Sequence, residues 1–158
     1  MTRSDPDDTV AITRVLQLYF DAIDEKNYAL LEHVFAANAV LRYSLDETTG
    51  PGLSARDMIA RIRDFTGAFR FTQHLSGPPS IEIDGDAARA RTNLRAIHVQ
   101  QRRDGSRSAW LVYGVYRDGL ARTSAGWRIR ERVFRVLYTE GELLGRDEVE
   151  SYPTPPWS

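Results

Sequence analysis

The chain has 158 residues, a formal net charge of -1 and no cysteine. This length suits one domain with one core, and the missing cysteine excludes disulfides, thiol catalysis and cysteine-bound metal. The small net charge gives no reason to expect nucleic acid or a membrane as partner, and neither a membrane span nor a signal peptide is visible, so we expect a cytoplasmic protein.

The first predicted element is a helix that begins near Thr9, after two aspartates that can cap it. Apolar residues recur at helical spacing through this segment: Ile12, Val15, Leu16, Tyr19, Phe20 and Ile23. Asp24 follows Phe20 by four residues and extends the same face. A carboxylate on an apolar face needs a partner or a raised pKa, although a helix-end carboxylate in solvent remains an alternative.

A polar turn follows and contains the only lysine, Lys26. Because it lies in a predicted turn, we exclude it as a Schiff-base residue. The next predicted elements are a short helix over 28–35, a strand over 39–45 and a loop over 46–53. A capping box at Ser54–Asp57 then begins a helix that ends at Gly67.

From Phe69 onward the pattern predicts strands. Aspartate–glycine pairs and other turn sequences separate them. The predicted strands lie near 71–76 continuing to 80–84, then at 87–102, 107–122 and 127–139. We assign residues 1–140 to a single domain and 141–158 to a polar tail, whose prolines predict a loose end from Tyr152.

Helices followed by a curved antiparallel sheet indicate an α+β fold with the helices packed on one side of the sheet. A bent sheet wrapped around helices forms a cone, and its open end is a pocket. In the strand over 87–102, His98 shares a face with Leu94 and Ala96, so it points toward the interior. It is either a pocket residue or a core histidine bonded to a backbone carbonyl.

His74 presents a conflict of strand parity. Thr72, His74 and Ser76 share one face, while Phe71 and Leu75 share the other with Gln73. Alternation alone would turn the apolar side inward and His74 outward. His74 can face the pocket only if the apolar side is covered as well, for instance by another subunit.

The last strand also changes parity. Trp127 and Ile129 have odd numbers, whereas Phe134, Val136 and Tyr138 have even numbers, which predicts a β-bulge between the two groups. After the bulge, Arg132 lies on the same side as Phe134. An inward arginine is suited to bind an anionic or carbonyl oxygen.

These features together resemble the SnoaL-like family of the NTF2-like superfamily over roughly residues 8–139. The resemblance rests on the order of several segments: the helix end 19–24, Phe35-Ala36 before 40–43, Thr72-Gln73-His74, 83–87, and 126–129 with Arg132. It implies a cone-shaped fold, with N-terminal helices on a curved mixed or antiparallel sheet around a pocket.

The site pattern resembles that of scytalone dehydratases and related dehydratases. That resemblance implies catalytic roles for Asp24, His74, His98, Tyr43 and Tyr19. It implies substrate contacts for Arg132, Tyr116 and Trp110, with no metal and no cofactor. The penultimate strand departs from scytalone dehydratases, because Gly114 and Tyr116 stand where those enzymes carry a serine and an asparagine. A different substrate is therefore expected.

The resulting hypothesis is a dehydratase-type lyase acting on a small hydrophobic cyclic or polyketide-like hydroxy-carbonyl compound. His74 would remove a carbon-bound proton while Asp24 orients its ring, and His98, Tyr43 or Tyr19 would supply a proton. Alternatives are an isomerase or cyclase with the same site, a metal site of His74, His98 and Asp24, a ligand-binding protein, and a non-catalytic small subunit of a ring-hydroxylating dioxygenase. A homo-oligomer, dimer or trimer, is expected.

Overall fold

A computed structural model of the chain describes residues 6–44 and 51–155. The elements in chain order are α1 (Pro6–Asp24), a 3₁₀ helix (Tyr28–His33), β1 (Phe35–Ser44), β2 (Leu53–Ser54), α2 (Ala55–Thr66), β3 (Phe71–Ser76), β4 (Ser80–Asp84), β5 (Ala87–Gln101), β6 (Arg107–Thr123) and β7 (Gly126–Gly141). The predicted α+β class is confirmed. Most of the predicted loop over 46–53 lies outside the described residues, and its last residue, Leu53, belongs to β2.

The strands form one seven-stranded sheet in the order β2-β1-β7-β6-β5-β3, and β4 also pairs with β5. All pairs are antiparallel except β1 and β7, which are parallel. The predicted strands over 71–139 are present with their bounds shifted by two residues or fewer. The sheet is curved, and the helices pack against its concave face.

The parity change in β7 comes from a bulge at the predicted place. Gly119 of β6 pairs with Glu131, whereas the next residue, Leu120, pairs with Ile129. Arg130 is therefore an extra residue on β7. Because of it, both Trp127 and Arg132 are buried although their numbers differ in parity.

Apolar residues of α1, α2 and the concave sheet face form one core. Asp8, in the first turn of α1, accepts hydrogen bonds from the indole of Trp127 (3.0 Å) and from both terminal nitrogens of Arg122 (2.8 and 2.6 Å). Ser54 caps α2 by accepting a hydrogen bond from the Asp57 amide, as the capping box predicts. Within residues 6–44 and 51–155, no helix is long and apolar enough to cross a membrane.

The segment after β7 is attached to the body of the domain. Leu144 and Val149 are buried. The side chain of Gln100 donates to the carbonyl of Leu144 (3.1 Å) and accepts from its amide (2.8 Å). The amide of Tyr152 donates to the carbonyl of Gly67 at 2.7 Å. The prediction that a loose end starts at Tyr152 is therefore wrong, and residues 156–158 lie outside the described residues.

Lys26 also differs from expectation. Its turn is present, but the side chain is buried, and the ammonium group donates to the carbonyl oxygens of Phe69 (2.7 Å) and Tyr152. Burial lowers the pKa of Lys26 to about 8. The lysine thus joins the end of α1, the segment before β3 and the C-terminal segment.

Replacing Gly141 by alanine is expected to destabilise the fold. Gly141 has a φ of +84°, and an added Cβ would overlap the carbonyl oxygen of Ala109. The left-handed backbone alone costs about 1–2 kcal/mol for an L-residue, and the overlap adds to it. Urea unfolding measures the loss. Gly77→Ala is the control, because nothing lies within 4 Å of its added Cβ, and an equal loss in both variants would contradict the prediction.

Candidate active site

A cavity of about 150 Å³ lies between the helices and the concave face of the sheet. Most of its surface is apolar or aromatic, with a few polar groups that converge on it. It is lined by Tyr19, Ile23, Tyr43, Met58, Arg61, Ile62, Phe65, Thr66, His74, Leu94, Ala96, His98, Trp110, Val112, Tyr116 and Phe134. A largely apolar concave site with a few fixed polar groups is typical of small-molecule binding sites.

Asp24 and His74 meet beside this cavity. Asp24 Oδ1 lies 2.6 Å from His74 Nδ1. The same carboxylate accepts the backbone N–H of His74 (2.8 Å) and the hydroxyl of Thr72 (2.9 Å). A carboxylate at the C-terminal end of a helix opposes the helix dipole, and these donors offset that cost. With Nδ1 facing the carboxylate, Nε2 is the ring nitrogen left to act on a substrate.

The plane of the His74 imidazole is fixed by packing as well. The Phe20 ring stacks on it with a centroid distance of 5.7 Å and an interplanar angle of 16°. Phe20 lies four residues before Asp24, so one face of α1 supplies both the carboxylate and the stacking ring. The His74 side chain is only 7% exposed.

His98 lies next to His74, with ring centroids 5.5 Å apart. Its Nδ1 lies 3.3 Å from the carbonyl oxygen of Trp110, which can only accept a hydrogen bond, so Nδ1 carries the proton. Burial, and then the charge of His74, lower the pKa of His98 to about 3. At neutral pH the ring is uncharged and its Nε2 accepts hydrogen bonds. His98 is therefore poorly suited to donate a proton to a leaving group.

The His98→Leu variant is expected to be less sensitive to acid. An unfolded histidine takes up a proton below its ordinary pKa of 6.5, whereas folded His98 does so only near 3. Its contribution to stability is thus complete above pH 6.5 and is lost as pH falls toward 3. Between pH 7 and pH 5 the parent should lose about 2 kcal/mol more unfolding free energy than the variant. Urea unfolding at both pH values measures this, and equal losses would contradict it.

Three tyrosines form the other side of the cavity. The Tyr43 hydroxyl donates to the Tyr19 hydroxyl at 2.7 Å. The Tyr116 ring meets both, at centroid distances of 5.6 Å to Tyr19 and 6.1 Å to Tyr43. Burial raises the pKa of all three tyrosines. They are therefore protonated at neutral pH and able to donate.

Arg132 lies behind the tyrosines and does not line the cavity. Its side chain is 1% exposed and forms two hydrogen bonds with Asp118, Nε to Oδ1 at 2.6 Å and a terminal nitrogen to Oδ2 at 2.9 Å. The guanidinium carbon lies 4.2 Å from the ring centroids of both Tyr19 and Tyr116. The expected direct contact between Arg132 and a substrate is therefore not supported, because Asp118 and the two rings hold the cation in the protein interior.

Arg132 nevertheless acts on the tyrosines through its charge. The positive charge favours the ionised form of each phenol and so opposes the rise in tyrosine pKa that burial causes. Among the described residues, Arg132 Nη1 has no hydrogen-bond partner. The arginine is thus packed against the rings of Tyr19 and Tyr116 and keeps its charge close to the tyrosine cluster.

The structure brings together seven of the eight residues that the sequence indicated. Tyr19, Tyr43, His74, His98, Trp110 and Tyr116 line the cavity, and Asp24 touches His74. Sequence reasoning missed Phe20, Thr72, Asp118 and the α2 residues of the lining. The inward orientation of Asp118 could have been predicted, because strand alternation places it on the same face as Tyr116 and Leu120.

The residue types of His74, His98 and Asp24 are those of a possible metal site. Among residues 6–44 and 51–155, no group of three or more histidine, aspartate or glutamate side chains is arranged to hold a metal ion. Asp24 Oδ1 and the Nδ1 of His74 bind each other, and Nδ1 of His98 faces a carbonyl.

Comparison with known proteins supports this architecture. The uncharacterised protein Rv2910c of Mycobacterium tuberculosis is 30% identical over 128 residues, which is 80% of this chain and 83% of the relative. The Kfla4162 protein of Kribbella flavida is 27% identical in sequence, with a TM-score of 0.77 over 85% of this chain and 93% of that one.

More distant structures share the fold. A protein of Novosphingobium aromaticivorans, provisionally named scytalone dehydratase, has a TM-score of 0.70 and 20% identity, covering 92% of this chain and 91% of its own. A type 2 hexachlorocyclohexane dehydrochlorinase (LinA) has a TM-score of 0.67 and 12% identity, covering 85% and 88%. The family model described as the SnoaL-like domain matches residues 5–133. The chain therefore belongs to the SnoaL-like family.

Proposed function

We propose that the protein is a cofactor-independent lyase of the dehydratase type, with a small cyclic hydroxy-carbonyl compound as substrate. The observation that carries the proposal is the 2.6 Å contact between Asp24 Oδ1 and His74 Nδ1 beside an apolar cavity. A carboxylate in this position keeps the proton on Nδ1, which leaves Nε2 as a base, and it stabilises the imidazolium that forms.

In the proposed reaction, Nε2 of His74 takes a proton from the carbon next to the carbonyl. The electron pair of that C–H bond forms the new double bond, and the C–O bond to the leaving hydroxyl breaks. The Tyr19–Tyr43 hydroxyl pair protonates the leaving oxygen, so that water is released. Neutral His98 accepts a hydrogen bond from the substrate, and the buried charge of Arg132 stabilises negative charge that develops on the phenols.

Elimination needs a base and a proton donor that act at two different points of the substrate. Asp24 and His74 belong to α1 and β3, whereas Tyr19 and Tyr43 belong to α1 and β1. A ring held between them meets a base at one point and a proton donor at another. Two solved structures that share the fold are named as a dehydratase and a dehydrochlorinase, and both names support an elimination as the proposed reaction.

The experiment is a panel of hydroxylated cyclic ketones and polyketide-like aromatics, incubated with the enzyme in D₂O and followed by mass spectrometry. Elimination removes the mass of one water. An isomerase or cyclase with the same site leaves the mass unchanged except for deuterium incorporation. If no compound of the panel loses water and none incorporates deuterium, the proposed activity is overturned.

We also propose a homo-oligomer formed through the outer sheet face. Leu75, Arg95, Tyr113 and Tyr138 lie in register across β3, β5, β6 and β7. Leu75 is 58% and Tyr138 57% exposed. His74 faces the cavity, so its neighbour Leu75 must face outward, and a second copy would remove this apolar surface from water.

The variant Leu75→Glu is expected to weaken this assembly at least about tenfold, because it places a charge in an apolar contact. Analytical ultracentrifugation over a concentration series measures the change. Val10→Glu is the control, since Val10 is 49% exposed on α1, away from the outer sheet face. A parent protein that stays monomeric at high concentration would contradict the proposal.

A further inference from the structure

Among the described residues that line the cavity, one side chain is a cation without a carboxylate partner. Arg61 of α2 is an exposed side chain, yet it is among the residues that line the cavity. No aspartate, glutamate or lysine is among the described residues of that lining. The surrounding wall is formed by Met58, Ile62 and Phe65 on the same helix, so the positive charge borders an apolar surface.

Arg63 and Asp64, the charged residues that follow Arg61 on α2, have partners, whereas Arg61 has none among the described residues. Arg63 lies over the Tyr28 ring at 5.3 Å. Asp64 binds Arg146 at 2.7 Å. Because no described carboxylate neutralises Arg61, its guanidinium is available to an anion that enters the cavity.

The size of the cavity limits what can reach this cation. An apolar cavity of about 150 Å³ holds one ring of the size of benzene. With the ring between His74 and the tyrosines, any further substituent must extend toward the mouth. Arg61 is the charged side chain of the described lining, and its planar pair of donors matches a carboxylate.

We propose that the substrate is a monocyclic compound with a carboxylate on a short side chain, and that Arg61 binds this carboxylate at the cavity mouth. The proposal deepens the proposed function, since it assumes that the buried ring is the part that reacts. Arg61 then selects the substrate and sets its orientation, while Asp24 and His74 perform the chemistry.

The test measures binding, so it does not depend on turnover. The probes are benzoate, phenylacetate, 3-phenylpropanoate and 4-phenylbutanoate, each with its neutral primary amide. Affinities are measured by calorimetry for the parent, Arg61→Gln and Arg56→Gln. Arg56 is the matched control, because it is exposed on the same helix, has no partner among the described residues and does not line the cavity.

For at least one of the four side-chain lengths, the parent and Arg56→Gln should bind the carboxylate probe about two- to fivefold more tightly than its amide. This is the range of an exposed ion pair. The preference should disappear in Arg61→Gln and should weaken between 20 and 500 mM salt. Equal binding of acid and amide by the parent, a preference that survives in Arg61→Gln, or no binding of any probe would overturn the proposal.

The same measurements on His74→Ala separate this proposal from the proposed function. If the protein is not an enzyme, turnover fails on every substrate but the Arg61-dependent preference persists in parent and His74→Ala alike. If Arg61 has no such role, the preference is absent even where the parent turns over a neutral ring. Each idea can therefore fail alone.

Discussion

Replacing His74 by alanine is expected to lower kcat by about 10²–10⁴-fold, the usual contribution of a positioned general base. The variant removes the only ring nitrogen that Asp24 orients toward the cavity. KM should change much less, because most of the lining is apolar and unaltered. Steady-state kinetics on a substrate identified in the D₂O panel measures both constants.

Asp24→Asn tests the pairing rather than the base. An amide can offer its nitrogen to His74 Nδ1, which favours the wrong tautomer and places the proton on Nε2. A loss of kcat comparable to that of His74→Ala is expected, and the double variant should be little worse than either single one. If the losses of kcat in the two single variants add up in the double variant, Asp24 and His74 do not act as one unit.

The control for both variants is His33→Ala. His33 is an exposed residue at the end of the 3₁₀ helix, away from the cavity lining. Its removal should leave kcat unchanged. Circular dichroism and urea unfolding of all variants establish that losses of activity do not reflect loss of the fold, and an active His74→Ala enzyme would exclude His74 as the base.

The Asp118→Ala variant is expected to lose about 3–5 kcal/mol of unfolding free energy, because it leaves the Arg132 charge buried without its partner. Both side chains are almost inaccessible, at 1% and 0% exposure. The tyrosine rings that contact the guanidinium cannot replace a carboxylate. Urea unfolding at neutral pH gives the value.

The matched control is the exposed pair of Arg102 and Glu142, with side chains 32% and 67% exposed. Glu142→Ala should cost less than about 1 kcal/mol, since solvent screens that pair. The double variant Asp118→Leu/Arg132→Met should recover much of the loss, because no isolated charge remains. An Asp118→Ala protein with the same unfolding free energy as the parent would contradict a structural role for the Asp118–Arg132 pair.

The sequence predicted the orientation of those site residues that follow the repeat of their own helix or strand. Asp24 lies on the apolar face of a helix, and His98 follows strand alternation through an apolar face. The parity change around Arg130 predicted a bulge, and the register of β6 and β7 contains one there. These features depend on neighbours within a few residues, which the sequence displays directly.

Features that depend on distant parts of the chain were not predictable in the same way. The polar composition around Lys26 indicated a turn, but its burial depends on the carbonyls of Phe69 and Tyr152. The role of Arg132 depended on Asp118 across the β6–β7 pair. The parallel pairing of β1 with β7 joins segments far apart in sequence and leaves no local pattern.

Because Lys26 is buried, its reactivity toward amine reagents depends on whether the C-terminal segment is attached. It is the only lysine in the chain, so an amine-reactive reagent has a single side-chain target. That target is covered while the C-terminal segment is in place, since the carbonyl of Tyr152 accepts from it. The rate of labelling at Lys26, located by peptide mapping, therefore reports how readily the C-terminal segment detaches, without any engineered probe.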